Sequence, residues 1–135
     1  MPYSLSEQIV MAKGSGKQPK ELNVATVQTA AATSDGLTTG IIAAATTLVL
    51  GTSASADYIW TLPSVSSVFL GKEIKVYVGA TGGEIRTPAS SNETINGVDG
   101  DGTNEYALAA NSIAVCVVTS ATGWHIFTGG AAAPN

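Results

Sequence analysis

Between Leu62 and Phe127 the chain carries a series of short strand-like runs, several of them alternating apolar and polar residues at period two. It breaks these runs at short intervals with turn residues, which leaves little but β-structure open to it. Ile74, Val76 and Val78 alternate with Glu73, Lys75 and Tyr77. Thr81-Gly82-Gly83 turns the chain, and Ile85 then stands between Glu84 and Arg86. Asn96-Gly97 predicts a tight turn, because both residues tolerate positive φ. An apolar strand over Ile113–Val118, a turn at Gly123 and a last strand from Trp124 to Phe127 complete the series. Period-two counting puts Val76, Val78, Ile85, Ile113, Val115, Val117 and Ile126 in the core. The same counting puts Glu73, Lys75, Glu84 and Arg86 in water. Short strands punctuated by glycine predict an all-β fold: an antiparallel β-sandwich, jelly-roll-like, or a small barrel.

The first half is less regular. Residues 1–21 are polar, with a short helical turn expected over Ser6–Ala12 and broken by Gly14-Ser15-Gly16-Lys17-Gln18-Pro19. We read them as an extended N-terminal arm that orders on a partner. Residues 22–128 form the β-domain. It opens with strands at Leu22–Thr26, Thr46–Leu50 and Asp57–Leu62, and the last of these sets Tyr58, Trp60 and Leu62 on one face. Ala30–Gly40 reads as a loop, and so does Ser64–Gly71 after Pro63. Residues 129–135 form a flexible tail, and no fixed-period repeat shows.

Composition narrows the function. Of 135 residues, 44% are hydrophobic and only 12% charged, about half the usual charged share. Ser, Thr, Ala, Gly and Asn must finish the surface, which suits a body packed against neighbours. A net charge of −4, with Lys13, Lys17 and Lys20 offset by Glu7 and Glu21, argues against nucleic acid as the partner. Met1-Pro2-Tyr3-Ser4 lacks the start of a signal peptide, so synthesis in the cytoplasm is expected. Gly40–Gly51 is too short to span a bilayer, and no membrane partner is expected.

No catalytic, cofactor or metal site is expected. Cys116, the single cysteine, sits in an apolar strand and reads as a buried thiol. Pairing with His125 in a catalytic couple is the competing reading, but no Asn or Asp nearby would orient the histidine. Asp99-Gly100-Asp101-Gly102, with Asn104 and Glu105, has the oxygens of a Ca²⁺ loop but not the EF-hand pattern; it reads as a solvated hairpin tip. Gly14-Ser15-Gly16-Lys17 resembles a P-loop ending without its first glycine, and Gln18 stands where a Mg²⁺-binding hydroxyl is needed. Trp124, just after a glycine turn, is expected to cap one end of the core.

The order of several motifs adds to this. Thr61-Leu62-Pro63, Gly71-Lys72-Glu73-Ile74-Lys75-Val76, Ile85-Arg86-Thr87-Pro88, Glu93-Thr94-Ile95-Asn96-Gly97, Ser112-Ile113-Ala114-Val115 and Gly123-Trp124-His125-Ile126 follow one another over roughly half the chain. Together they resemble a β-module of tailed-phage virion proteins, which include tail-fibre segments and small capsid decoration, or cement, proteins. The resemblance implies a non-enzymatic virion part, often trimeric. A chain of this length starting at Met1 is expected to hold one module and an arm, with no long shaft. On that reading it is a decoration protein on the outer capsid, a homotrimer partnered with the major capsid protein. Its arm residues Tyr3, Leu5, Ile9, Val10, Lys13, Lys17 and Lys20 are the expected capsid contacts. The alternative is a short tail or fibre-tip protein binding a host receptor or glycan, whose sign would be an exposed aromatic cleft around Trp60, Tyr106 or Trp124. A small glycan hydrolase is the enzymatic alternative.

Overall fold

The computed structural model describes residues 23–32, 40–101 and 105–129. The arm contacts expected at Tyr3, Leu5, Ile9, Val10, Lys13, Lys17 and Lys20 lie outside the described residues. The fold is all-β, with ten strands and a single 3-10 turn at Val65–Ser67 among the described residues. The strands are β1 Ala25–Thr29, β2 Leu48–Thr52, β3 Ile59–Thr61, β4 Glu73–Val78, β5 Gly83–Arg86, β6 Thr94–Ile95, β7 Val98–Asp99, β8 Tyr106–Leu108, β9 Ile113–Ser120 and β10 Gly123–Gly129. They form a large sheet ordered β1-β2-β4-β9-β10-β6-β7 and a small one ordered β3-β5-β8.

The strands do not form the expected antiparallel sandwich, jelly roll or barrel. β1 and β2, β2 and β4, β3 and β5, and β10 and β6 pair in parallel. After β1 the chain crosses to the small sheet, where Ile41 makes a parallel bridge to Thr61. It then places β2, β3, β4 and β5 alternately in the two sheets, each beside the previous strand of its own layer. The result is solenoid-like: a coil whose turns stack sideways, each taking roughly 25 residues, within the range of known solenoid repeats. The antiparallel strands β8, β9 and β10 then close it.

Side chains between the two sheets form one core, built on Val49, Trp60, Leu62, Ile74, Val76, Val78, Ile85, Ala114, Cys116, Val118, Trp124 and Ile126. Trp60 and Trp124 are its largest fully buried members. Trp60 lies between the two sheets. Its indole Nε1 donates to the Gln28 carbonyl at 3.1 Å, which ties the small sheet to the start of the coil. Gly51 and Gly83 leave room for the ring: a Cβ on Gly51 would come within 2.6 Å of it, and one on Gly83 would overlap it.

β9 has the opposite parity from the one expected. Ala114, Cys116 and Val118 point inward, while Ile113 is 40% exposed and Val115 and Val117 are only partly buried. Every residue of the run is apolar, so alternation could not choose a face. The pairing of Ile74 with Cys116 and Val76 with Ala114 does choose it.

Arg86, placed in water by the same period-two counting, is buried. The segment from Thr87 to Asp101 folds over it, and its guanidinium donates to the carbonyls of Thr87 and Asp101. Asn96 (φ 54°) and Gly97 (φ 82°) make the turn between β6 and β7. The Asn96 side chain accepts from the Ile126 amide at 2.8 Å, fastening that small hairpin to β10.

Candidate interaction surfaces

With the core closed, much large apolar surface still faces outward. Because Val49, Ile74, Val76, Val78, Ala114, Cys116 and Val118 point inward, their strand neighbours line the outer face of the large sheet. One row runs Val27, Leu50, Tyr77, Ile113 in register across four strands and ends opposite Gly129 on β10. The next runs Ala25, Leu48, Lys75, Val115, Phe127, and a third joins Glu73, Val117 and His125. Val27 is 73% exposed, Phe127 57%, Tyr77 43% and Leu50 41%. The His125 and Phe127 rings lie 4.6 Å apart and continue the face onto β10. Lys75 and Glu73 are the charged groups on these rows, and they face each other at 3.7 Å. A shallow groove of about 200 Å³ runs beside them, lined by Asn23, Ala25, Thr47 and Leu48.

A second apolar feature is a tip. Phe69 and Leu70 are each about 70% exposed, in a turn closed by the Lys72 amide donating to the Phe69 carbonyl at 2.9 Å. Gly71 follows at φ +86°, where other residues are strained, and its amide donates to the Val118 carbonyl at 2.8 Å. The tip is therefore held by backbone on its far side. Two adjacent large side chains on a fixed turn are suited to filling a pocket in a partner.

The sites expected from sequence fall elsewhere. Cys116 points into the core and His125 to the outer face, so no Cys-His couple forms. Burial pushes the Cys116 thiol well above its ordinary range. In the Asp99–Asp101 loop, Asp99 Oδ1 accepts from the Asp101 amide at 3.1 Å, and Asp101 Oδ2 accepts from the Asn92 amide at 3.0 Å. Those carboxylates hold backbone, and no group of three His, Cys, Asp or Glu side chains converges among the described residues. Trp60 and Trp124 are buried and Tyr106 packs partly against the core, so no aromatic cleft forms around them. Sequence reasoning missed both apolar surfaces. The signal was present: Leu48 and Leu50 flank the inward Val49, and Phe69-Leu70 places two large apolar residues side by side in a loop just before a glycine.

On the small sheet, Glu84 lies near Glu105 and Asp57. Burial first, and then these two carboxylates, raise the Glu84 pKa above its ordinary value. An acid whose folded pKa lies above its unfolded one costs stability. That cost sets in as pH rises through the unfolded value and is full above the folded one. Glu84→Gln should therefore raise the melting temperature at pH 7, by a small amount since solvent screens the pair terms to under about 1 kcal/mol. The gain should fade below about pH 4, where the unfolded carboxyl is protonated too. Thermal melts across that range check it, and an equal gain at both ends would rule out the charge explanation.

No protein-family model, curated protein or solved structure matches the chain.

Proposed function

We propose that the chain is a structural assembly protein, a decoration protein that binds the outer surface of a tailed-phage capsid and stabilises the shell. The observation that carries an assembly role is the amount of large apolar side chain left outside a closed core: a broad sheet face and the Phe69-Leu70 tip. Side chains of this kind gain by being covered, at about 25 cal/mol for each Å² removed from water. A surface with few charges adds little repulsion against doing so.

The virion setting is supported by the resemblance of the motif series. Its residues are the ones that hold this fold together. Leu62 donates its amide to the Arg86 carbonyl at 2.8 Å, and Thr87 donates its hydroxyl to the Glu93 carbonyl at 3.1 Å. Asn96-Gly97 makes a turn and Trp124 fills the core. They read as the signature of a scaffold, and the partners of that scaffold are the major capsid protein and further copies of the chain. The mechanism is mass action: a ligand that binds only the assembled shell stabilises it, by about 2.7 kcal/mol at a hundred times its dissociation constant.

Purified protein incubated with empty, expanded capsids of the virus that encodes it should cosediment to a fixed ratio and raise the temperature at which the shells open. Replacing Phe69 and Leu70 together by serine should weaken that binding by about a hundredfold, as loss of a central apolar anchor does. Binding to host envelopes in place of capsids would establish the receptor-binding reading instead.

A further inference from the structure

We propose that the outer face of the large sheet is covered by a second copy of this chain. This names a partner for one surface of the assembly protein described above and rests on that reading. Area, layout and charge point to the same occupant.

Five strands about 4.8 Å apart, carrying three side-chain rows about 7 Å apart, present a face of roughly 450 Å². A stable interface buries about 800 Å² on each partner, with an apolar centre inside a polar rim. The face supplies that centre in Val27, Leu50, Tyr77, Ile113 and Phe127. Hydroxyls continue it at the edges, where Thr29 and Thr52 hydrogen-bond to each other at 3.0 Å. The continuous register of the rows suits face-to-face packing of sheets, which sit about 10 Å apart with side chains interdigitated.

Charge selects a copy of the chain. The molecule is acidic overall, so copies repel except where their surfaces are neutral or self-complementary. This face is both. Glu73 and Lys75 lie two residues apart on one strand, each about half exposed. Across a two-fold axis, Glu73 of one copy can meet Lys75 of the other while Lys75 meets Glu73, the self-matching that such an interface requires. A foreign partner would gain nothing from that symmetry.

The test uses the full chain alone. Sedimentation velocity across micromolar concentrations should show a dimer, or an assembly built of dimers. Tyr77→Lys combined with Ile113→Lys should reduce it to single chains whose circular dichroism is still that of the β-fold. A milder set guards against misfolding. Glu73→Lys alone and Lys75→Glu alone should each weaken association by about tenfold or more, since like charges then meet across the interface. Mixing the two variants should restore it. A wild-type chain that stays single at the highest concentration overturns the proposal, as does an assembly that ignores both sets. So does a face that is labelled freely in the protein alone and protected only on a capsid, because the capsid protein is then its cover. These outcomes separate from those of the shell experiment: a single chain that still binds capsids removes only the second copy, and a firm dimer without capsid affinity removes only the virion reading.

Discussion

Trp60→Ala will cost about 3–5 kcal/mol, the range for truncating a large buried aromatic. That is a large share of the 5–15 kcal/mol by which a domain is ordinarily stable, so much of the protein will be unfolded or easily unfolded at room temperature. The size of the effect follows from where the ring sits. It lies between the two sheets, fully buried, with Gly51 of one sheet and Gly83 of the other drawn against it. Its Nε1 also donates to the Gln28 carbonyl, and that hydrogen bond would be lost. A complementary change isolates the packing. Gly83→Ala drives a methyl into the ring, and the ring cannot retreat while its indole is tied to Gln28, so overpacking should cost about 1–3 kcal/mol. In a chain that already carries Trp60→Ala, the same methyl enters the space left by the ring and should cost almost nothing. Urea unfolding followed by circular dichroism measures all four corners of that cycle. Strict additivity would show that the ring and Gly83 do not meet.

Those residues also show what a sequence of this kind discloses. Counting alone sets Tyr58, Trp60 and Leu62 on one face, because their strand alternates and ends at a proline, but it does not say whether that face is buried. The core places of Val76, Val78, Ile85 and Ile126 were legible from alternation, and Asn96-Gly97 announced its turn by chemistry. β9 was not legible. Ile113 to Val118 is apolar on both faces, so its parity is set by the register against β4, and that is a non-local fact. The outer face was hidden for the same reason, since counting assumes that the second face of a strand is wet. The parallel coil escaped because its turns differ in length, which erases any period from the sequence. Arg86 escaped because its partners are backbone carbonyls, which every residue carries and no side-chain pattern reveals.

Glu93→Ala should be the second most damaging of these changes, at about 3 kcal/mol. Glu93 is buried beside the Ser64–Leu70 segment. Its Oε1 accepts from the Ser64 hydroxyl at 2.6 Å and from the Val65 amide at 3.0 Å, capping the 3-10 turn that leads to the Phe69-Leu70 tip. Hydrogen bonds to a charged acceptor are worth about 1.5–3 kcal/mol each; the Val65 amide would be left without an acceptor, while the Ser64 hydroxyl can turn to Ser66 Oγ at 3.0 Å. The loss should be partly local. The Glu93 backbone carbonyl, which takes the Thr87 hydroxyl and the Gly100 amide, survives the substitution. Amide exchange should therefore accelerate most over residues 64–71, while the strands of the large sheet keep most of their protection. Glu93→Gln separates shape from charge. Its amide oxygen can keep the cap, and its nitrogen replaces Oε2, an atom that is buried without a hydrogen-bond partner. That nitrogen brings N–H donors to a position where Oε2 has no partner, so an unpaired oxygen is exchanged for unpaired donors, and glutamine should cost about 1–2 kcal/mol, less than alanine. A glutamine variant as unstable as the alanine one would mean that the full charge, and not the cap geometry, holds this segment. An alanine variant that leaves exchange over residues 64–71 unchanged would detach the tip from Glu93. The tip would then be held by its own turn, through the Lys72 amide and Phe69 carbonyl, and by the Gly71–Val118 and Lys72–Val118 backbone contacts.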